Sequence, residues 1–260
     1  MGHAKVRGSN FNYGDGLKMA LDLGAMPWGH WGGCHATPIV ADAADYGRRD
    51  FTDKTNRLSY PYGVMLNDEG QRWVDEGADF NAFTYAKYGG MILKQSKGVV
   101  YQIFDSKVVD MLEPRYQTSE PFRSDTLEGL VQQLPLNQQQ ATRTLKEFND
   151  AAERGGSFNP AVLDGMHTEG LDPPKSNWAQ KLDTPPYLCW AVTGGITFTF
   201  GGLKVDKNAQ VISTGWKLIE GLYTAGEMVG GLFHYNYALG TGLMSGAVFG
   251  RIARRSAALA

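Results

Sequence analysis

The residues best suited to chemistry lie near the C-terminus, where the sequence predicts a strand, a loop and a helix in succession. The predicted strand over residues 222–225 ends at Gly226 and Glu227. A carboxylate at the end of a buried strand is well placed to accept hydrogen bonds from sugar-type hydroxyls. The glycine-rich residues 240–242 then lead into the helix, whose unpaired amides and partial positive charge suit a phosphate or the anionic edge of a ring. A helix that simply caps itself after a glycine loop is the alternative.

Histidines and a tyrosine form a second group of candidates for chemistry. His30 and His35 flank a glycine pair, but no further ligand lies at a workable zinc spacing, so the sequence predicts no metal site. One of the two imidazoles is expected to form a hydrogen bond or other contact with a substrate, and a structural histidine is the alternative. His234 and Tyr237 lie between Glu227 and the C-terminal helix. They should therefore overhang whatever binds there, and aromatic packing is the alternative.

The sequence lacks the usual cradle for the pyrophosphate of a dinucleotide. It contains no Gly-x-Gly-x-x-Gly pattern and no P-loop. The closest approach is Gly14-Asp15-Gly16, which has Met19 where a third glycine would fall. A bound dinucleotide would therefore lack these phosphate contacts in this chain.

Composition excludes several classes of protein. The 260 residues carry 25 Lys and Arg against 27 Asp and Glu, and 42% are hydrophobic. This is ordinary for a globular chain and gives no electrostatic reason to expect nucleic acid or an anionic membrane as partner. No run approaches the roughly 18 apolar residues of a membrane span, and the N-terminus has no apolar signal region. Two cysteines cannot build a disulfide framework, and we expect a cytoplasmic protein.

Turn residues and apolar periodicity predict the elements that position these side chains. Asp15 is expected to cap a helix that ends at Gly24, and residues 63–74 are typical of a β-hairpin. Asn137 should open a helix that ends at Gly155. Further helices are predicted over residues 80–93, 125–134 and 243–258, strand and loop over 26–40, and further strands over 99–104, 187–192, 196–200 and 203–205.

The order of these elements indicates a mixed architecture, α/β together with α+β. Residues 41–185 are expected to form an α+β domain whose last part, residues 155–186, is a proline-rich connector. Residues 1–40 and 186–260 are expected to form two pieces of a different domain. Because the first piece is short, that second domain is expected to be incomplete.

Several motifs resemble the fumarate reductase/succinate dehydrogenase flavoprotein superfamily. They are Gly-Gly-x-x-x-Asp at 201–206, Gly-Leu-Tyr-x-Ala-Gly-Glu at 221–227 and a glycine turn before a Phe-Gly-Arg helix. The segments WGGCHATPI, DKTNRLSYPYG and GGITFTFGGL are more similar to tricarballylate dehydrogenase-type flavoproteins. The resemblance covers essentially the entire chain. It implies a glutathione-reductase-like FAD-binding domain with an inserted substrate-capping domain, and an FAD-dependent oxidoreductase that moves hydride between flavin N5 and an activated C–C bond.

The resemblance assigns residues to the cofactor. Glu227 would hold hydroxyls of FAD, and the amides of Gly242 and Leu243 would face the N1 and C2 carbonyl edge of the flavin. A helix N-terminus there would stabilise the anionic reduced flavin by about 0.3–2 kcal/mol. The FAD-binding candidates are Asp15, Gly226, Glu227, Thr241, Gly242 and Leu243.

The resemblance also assigns residues to the substrate. His35 matches the histidine of the family's His-Pro-Thr segment, which reads His-Ala-Thr here. Arg57 is expected to pair bidentately with a carboxylate of the substrate. The catalytic candidates are His35, His234 and Tyr237, and the substrate-binding candidates are Thr55 and Arg57.

Some positions depart from the fumarate reductases of this superfamily. Their proton relay uses a glutamate and two arginines, and the matching positions here are Asn56, Ser59 and Phe80. Their second substrate histidine corresponds to Thr197 and their substrate-clamping arginine to Tyr237. Fumarate reduction itself is therefore not expected, and Tyr237 leaves a steroid-type ketone dehydrogenase open as an alternative.

Two hypotheses from different classes follow. The first is an FAD-dependent dehydrogenase acting on a polycarboxylate or similar activated acid, present as a truncated chain. The family's N-terminal dinucleotide-binding unit has no counterpart in this sequence, so another polypeptide or a homo-oligomer is expected to supply it. The second is a non-catalytic remnant or interaction protein without functional FAD binding. It is favoured by Leu239, which stands where a glycine would let the backbone approach the flavin.

Overall fold

A mixed sheet organises the protein in a computed structural model that describes residues 4–51, 53–152 and 156–260. Its central strand is long, and the other strands of the sheet pair with it or with its neighbours. In chain order they are β1 (Lys5–Val6), β2 (Pro27–Val40), β3 (Val64–Leu66), β4 (Val99–Phe104), β5 (Phe122–Ser124) and β6 (Tyr187–Leu203).

The two halves of β6 have different neighbours. Its first half pairs antiparallel with β4, from Leu188 opposite Phe104 to Thr193 opposite Val99. Its second half pairs antiparallel with β2, and β1 runs parallel to its middle. Because β6 is shared, the sheet is continuous across the boundary near residue 186, and the expected division into domains stays a prediction.

Helices cover both faces of the first half of the sheet. Alternate residues of a strand point to opposite faces. Val64 and Leu66 accordingly pack with α3 (Leu127–Val131) and α4 (Gln138–Ala151), whereas Met65 faces the core beside α2 (Asn81–Ile92). The two hydrophobic cores bury this part of the sheet on both faces.

Helix α2 lies very close to β2 because of one glycine. A Cβ built on Gly89 would lie 2.0 Å from the carbonyl oxygen of Ala36, so no other residue fits there without movement. At the neighbouring Gly90 a Cβ would meet nothing within 4 Å. Gly89 therefore sets the distance between helix and sheet, and Gly90 does not.

The chain ends in a small two-stranded sheet followed by a helix with no buried residue. The strands are β7 (Gln210–Ile212) and β8 (Leu218–Tyr223), and the helix is α5 (Thr241–Leu259). The side chains of Leu243 and Met244 on α5 are 82% and 60% exposed. Helix α1 (Asp15–Asp22) packs near this region, since Gly16 lies against Met228.

The mixed α/β fold expected from the sequence is confirmed, and the helix starting after Asn137 begins where it was predicted. Asn137 accepts a hydrogen bond from the Gln140 amide at 3.1 Å. Its predicted end at Gly155 lies outside the described residues. None of the helices in the described part of the chain is both long and apolar enough to cross a bilayer.

Three local predictions are wrong. The strands predicted over 187–192 and 196–200 form the single strand β6 together with Leu203, because its glycines continue the pairing with β2, and residues 204 and 205 lie beyond its end. The second arm of the predicted hairpin is not a strand, since Arg72 turns inward to pair with Glu76 at 2.5 Å. Asp15 does not cap α1, whose N-cap is Gly14 in the left-handed conformation at φ 79°.

Candidate functional site

The imidazole of His35 lies in a cage of aromatic rings. His35 is 4% exposed and lies on β2 where the register with β6 shifts. Its ring centre is 4.2 Å from that of Tyr237, 5.0 Å from that of Tyr85 and 5.1 Å from that of Phe198. Tyr85 comes from α2 and Phe198 from β6. We call these four residues the His35 cage.

The electrostatic state of His35 follows from this burial. Desolvation, and then the positive charge of Arg7, lower the pKa of His35 from 6.5 to about 3. Neither ring nitrogen has a hydrogen-bond partner within the described chain. Such buried unpaired polar atoms are rare in folded proteins. At neutral pH the imidazole is therefore uncharged, with one donor and one acceptor free for a bound molecule.

The His35 cage is tied to the first turn of α5. The hydroxyl of Tyr237 accepts a hydrogen bond from the Gly242 amide at 3.0 Å. The hydroxyl of Thr241 donates to the carbonyl of Ala238 at 2.6 Å, and Gly240 begins the helix in the left-handed conformation. The amide of Gly242, which the resemblance assigns to the flavin, is thus bonded within the chain.

Glu227 lies exposed at a turn whose geometry needs glycine. Gly226 has φ 68°, a conformation that other residues rarely adopt. One carboxylate oxygen of Glu227 accepts from the Asn12 side-chain amide at 2.9 Å, and the other accepts from the Thr199 amide at 3.2 Å. Asp15 is exposed at the start of α1, beside this turn. The structure thus brings the predicted cofactor residues of the N- and C-terminal parts together.

A cation and hydroxyls lie next to the His35 cage. Arg7 donates to the hydroxyl of Thr197 at 2.9 Å and to the side-chain oxygen Oδ1 of Asn56 at 2.7 Å, and it pairs with Asp53 at 2.8 Å. Thr55 lines, together with Arg7, a cavity of about 260 Å³. One predicted substrate residue, Thr55, therefore shares a cavity with a cation that the sequence analysis did not single out.

Arg57 is buried among carbonyl and hydroxyl oxygens. It is fully buried, and its guanidinium donates to the Arg115 carbonyl at 2.9 Å and to the hydroxyls of Thr118 and Ser119. Its cation also lies 5.2 Å from the ring centre of Tyr116. The structure does not bring Arg57 to the His35 cage, and its predicted role at the substrate remains a prediction.

His234 lies in a different aromatic group from His35. Its ring centre is 4.5 Å from that of His30 and 4.3 Å from that of Tyr235. His234 and Tyr235 are exposed. Of the three predicted catalytic residues, the structure therefore brings His35 and Tyr237 together and leaves His234 outside the cage.

Sequence reasoning missed Arg7, Tyr85 and Phe198 for different reasons. Phe198 belongs to a predicted strand, and its alternation with Phe200 was a usable signal for one face. Tyr85 follows an apolar pattern at helical spacing, and this pattern predicts a buried core residue as readily as a site residue. Arg7 lies in a short polar segment with no pattern, and only its long-range bonds to Asn56 and Thr197 reveal its place.

Comparison with protein families identifies the class. The family described as "FAD binding domain" matches residues 3–243. Because this match spans most of the chain, the protein belongs to that family of FAD-dependent oxidoreductases.

Individual relatives narrow the class to reductases and dehydrogenases. The chain is 30% identical to a probable fumarate reductase of Shewanella frigidimarina, over 94% of this chain and 38% of that protein. It is 29% identical to an NADH:acrylate oxidoreductase of Vibrio harveyi, over 75% of this chain and 18% of that protein. It therefore spans well under half the length of these curated relatives.

A solved structure supports the fold. The 3-ketosteroid Δ1-dehydrogenase of Sterolibacterium denitrificans superposes with a TM-score of 0.69 and 23% identity, covering 99% of this chain and 49% of that one. Identity this low supports the shared fold alone.

The residues of this chain fit FAD at two points. The exposed carboxylate of Glu227 is held in place by two donors and can accept from hydroxyls. The 19-residue helix α5 begins at Thr241, so the backbone amide of Leu243 lies in its first turn, where helix amides have no acceptor within the helix. Within the described ranges no three histidine, cysteine or carboxylate side chains come close enough to hold a metal ion.

Proposed function

We propose that this chain forms the substrate-binding and flavin-facing part of an FAD-dependent dehydrogenase acting on an activated acid of the polycarboxylate type. The observation that carries the proposal is the His35 cage. Both imidazole nitrogens are buried without partners, and the cage is bonded to the N-terminus of α5 through Tyr237 and Gly242. Burying polar atoms without partners costs free energy, and a site that binds a hydrogen-bonding ligand explains this cost better than packing does.

The candidate residues of this chain would have separate roles in binding the cofactor and the substrate. The cofactor, when bound, supplies hydride exchange with a C–C bond of the substrate. Glu227 would bind hydroxyls of the cofactor, and the first turn of α5 would face its anionic edge through Leu243. His35 would donate or accept one hydrogen bond as a neutral imidazole, and Tyr237 would hold it in position by stacking.

A carboxylate substrate is supported by charge as well as by relatives. Arg7 is the cation whose field reaches both His35 and Tyr85, and with Thr55 it lines the adjacent cavity. The acids named for two relatives, fumarate and acrylate, have a carboxylate next to the reacting bond. We propose that Arg7 and Thr55 bind that carboxylate, with Arg57 behind them.

A ketone substrate is the second candidate. Tyr237 presents a hydroxyl, bonded to a helix-terminal amide, in a cage whose other walls are aromatic. Such a hydroxyl can donate to a carbonyl oxygen and stabilise an enolate. A 3-ketosteroid dehydrogenase has the same fold. Turnover of a 3-oxosteroid, and not of a polycarboxylate, with an artificial electron acceptor would select this candidate.

The partner expected from the sequence also stays a proposal. Helix α5 has no buried residue, so another polypeptide or a second copy of this chain would have an apolar face to cover. The rival hypothesis, a non-catalytic protein, predicts that no flavin is held at all.

Flavin retention tests the proposed function. The purified chain is incubated with FAD, free flavin is removed and the visible spectrum is recorded. We expect retained flavin in the wild type and at least tenfold weaker binding in Glu227→Ala, because the hydroxyl acceptor is lost. Glu69→Ala, at the exposed turn after β3, is the matched control and should bind like the wild type. A colourless wild type would show that this chain alone does not hold FAD, and equal affinity in Glu227→Ala would remove Glu227 from the site.

A further inference from the structure

A second cavity is lined by Phe200, whose ring centre is 6.1 Å from that of Phe198 in the His35 cage. It has a volume of about 370 Å³, within the range of small-molecule sites. Its walls come from β2, from β6 and from α2 and the residues following it. Its lining includes His30, Lys87, Gly90, Met91, Lys94 and Phe200.

The cavity exists because β2 bulges away from β6. His30 pairs with Phe200 and Cys34 pairs with Thr199, so residues 31–33 have no partner on β6. Bulges of this kind recur next to binding sites, where they redirect side chains. Here the bulge places the ring of His30 against Gly33 and opens space toward α2.

One face of α2 forms the opposite wall. Lys87, Gly90, Met91 and Lys94 follow one another at helical spacing, and each lines the cavity. Gly90 makes the middle of this wall recede, since a Cβ there would meet nothing within 4 Å. The wall is therefore apolar in its centre and carries an ammonium group at each end.

The charged groups around the cavity are all basic. In the described part of the chain no carboxylate lines it, and neither Lys87 nor Lys94 has a carboxylate partner. The ammonium of Lys94 lies 5.3 Å from the ring centre of Tyr235, which closes one side. Nδ1 of His30 is buried without a partner, and burial followed by the charges of His234 and Lys94 lowers the pKa of His30.

We propose that this cavity binds a small amphipathic carboxylate with an aromatic or alicyclic body. The body would pack against Met91 and Phe200 above Gly90, and the carboxylate would lie at the lysine rim. Uncompensated ammonium groups beside an apolar surface favour a ligand that is both anionic and apolar. None of the four residues of the His35 cage lines this cavity, so the proposal does not rest on the proposed function.

Calorimetric titration of the flavin-free chain with 2-naphthoate tests the proposal. We expect saturable binding with one site per chain, and at least tenfold weaker binding of the neutral analogue 2-naphthalenemethanol. Lys94→Met should weaken naphthoate binding by about fivefold to tenfold, as expected for one charge-assisted contact. Lys207→Met removes an exposed lysine elsewhere and should leave the affinity unchanged.

A cavity-filling variant makes the test independent of charge. Gly90→Leu places a side chain in the open space above α2 and favours the helix, so the fold should be kept. We expect it to abolish naphthoate binding without lowering Tm. Absence of saturable binding in the wild type, equal affinity for the neutral analogue, or full binding in Gly90→Leu would each overturn the proposal.

Discussion

His35 is a titratable residue whose protonation the fold suppresses. An unfolded histidine takes up a proton near pH 6.5, whereas the pKa of His35 in the folded chain is about 3. Between these values the unfolded chain binds more protons. His35 therefore lowers the free energy of unfolding as pH falls from 6.5 toward 3, and it has no such effect above pH 7.

A phenylalanine at position 35 should remove this pH dependence. Phe fits an aromatic cage and cannot be protonated, so we expect His35→Phe to be more stable than the wild type at acidic pH. The difference in unfolding free energy should grow by up to about 1.4 kcal/mol per pH unit below pH 6. Urea unfolding at pH 5, 6, 7 and 8 measures it. A difference that is constant over this range would contradict the burial of His35.

Arg57 and Arg7 have different surroundings, and their variants should fail differently. Arg57→Met leaves several buried oxygens without a donor, so we expect a loss of about 2–4 kcal/mol in unfolding free energy. Arg123→Met, on the exposed side of β5, should cost less than about 0.5 kcal/mol. Thermal unfolding compares the two, and equal Tm values would show that the Arg57 bonds contribute nothing.

Arg7→Met tests the proposed carboxylate contact instead. In the flavin-loaded protein we expect KM for an acidic substrate to rise at least tenfold, with a smaller change in kcat, because ground-state binding is lost. The KM of a neutral ketone should stay the same. If KM for the acid is unchanged, Arg7 is a structural residue bonded to Asp53, Asn56 and Thr197.

At the scale of elements, the contact between α2 and β2 depends on Gly89. A methyl group there would overlap with the carbonyl oxygen of Ala36. We therefore expect Gly89→Ala to lower the unfolding free energy by about 2–4 kcal/mol. Gly90→Ala has free space and gains helix propensity, so it should raise stability by about 0.5–1 kcal/mol. Chemical denaturation of the two variants measures their unfolding free energies. Similar effects in both variants would contradict the close approach of α2.

Single elements differ in how far their sequence predicted them. Helix α4 was predicted at its start because Asn137 and an apolar face at helical spacing are local signals. The length of β6 was not, because glycines usually interrupt strands and here they allow close packing. The second arm of the predicted hairpin was wrong because Arg72 also donates to the carbonyls of Pro173 and Pro174, which are distant in sequence.

For the whole molecule, stability should be uneven along the chain. β6 is largely buried between its neighbours, whereas α5 has no buried residue. Regions with little buried apolar surface open at low free energy. Native-state hydrogen exchange should therefore show α5 opening well below the free energy of global unfolding, and β4 and β6 near it. Protection of α5 equal to that of β6 would contradict this description.

The family, the expected cofactor and most helices and strands could be predicted from the amino-acid sequence. These follow from short motifs, such as Gly-Leu-Tyr-x-Ala-Gly-Glu, and from periodic patterns that are local in the chain. Which side chains share a site depends on how the strands and helices pack together. The His35 cage joins residues 35, 85, 198 and 237, and it depends on the β2–β6 register shift and on α2 packing against β2. Pairings across such distances leave no local pattern, so no reading of neighbouring residues reveals them.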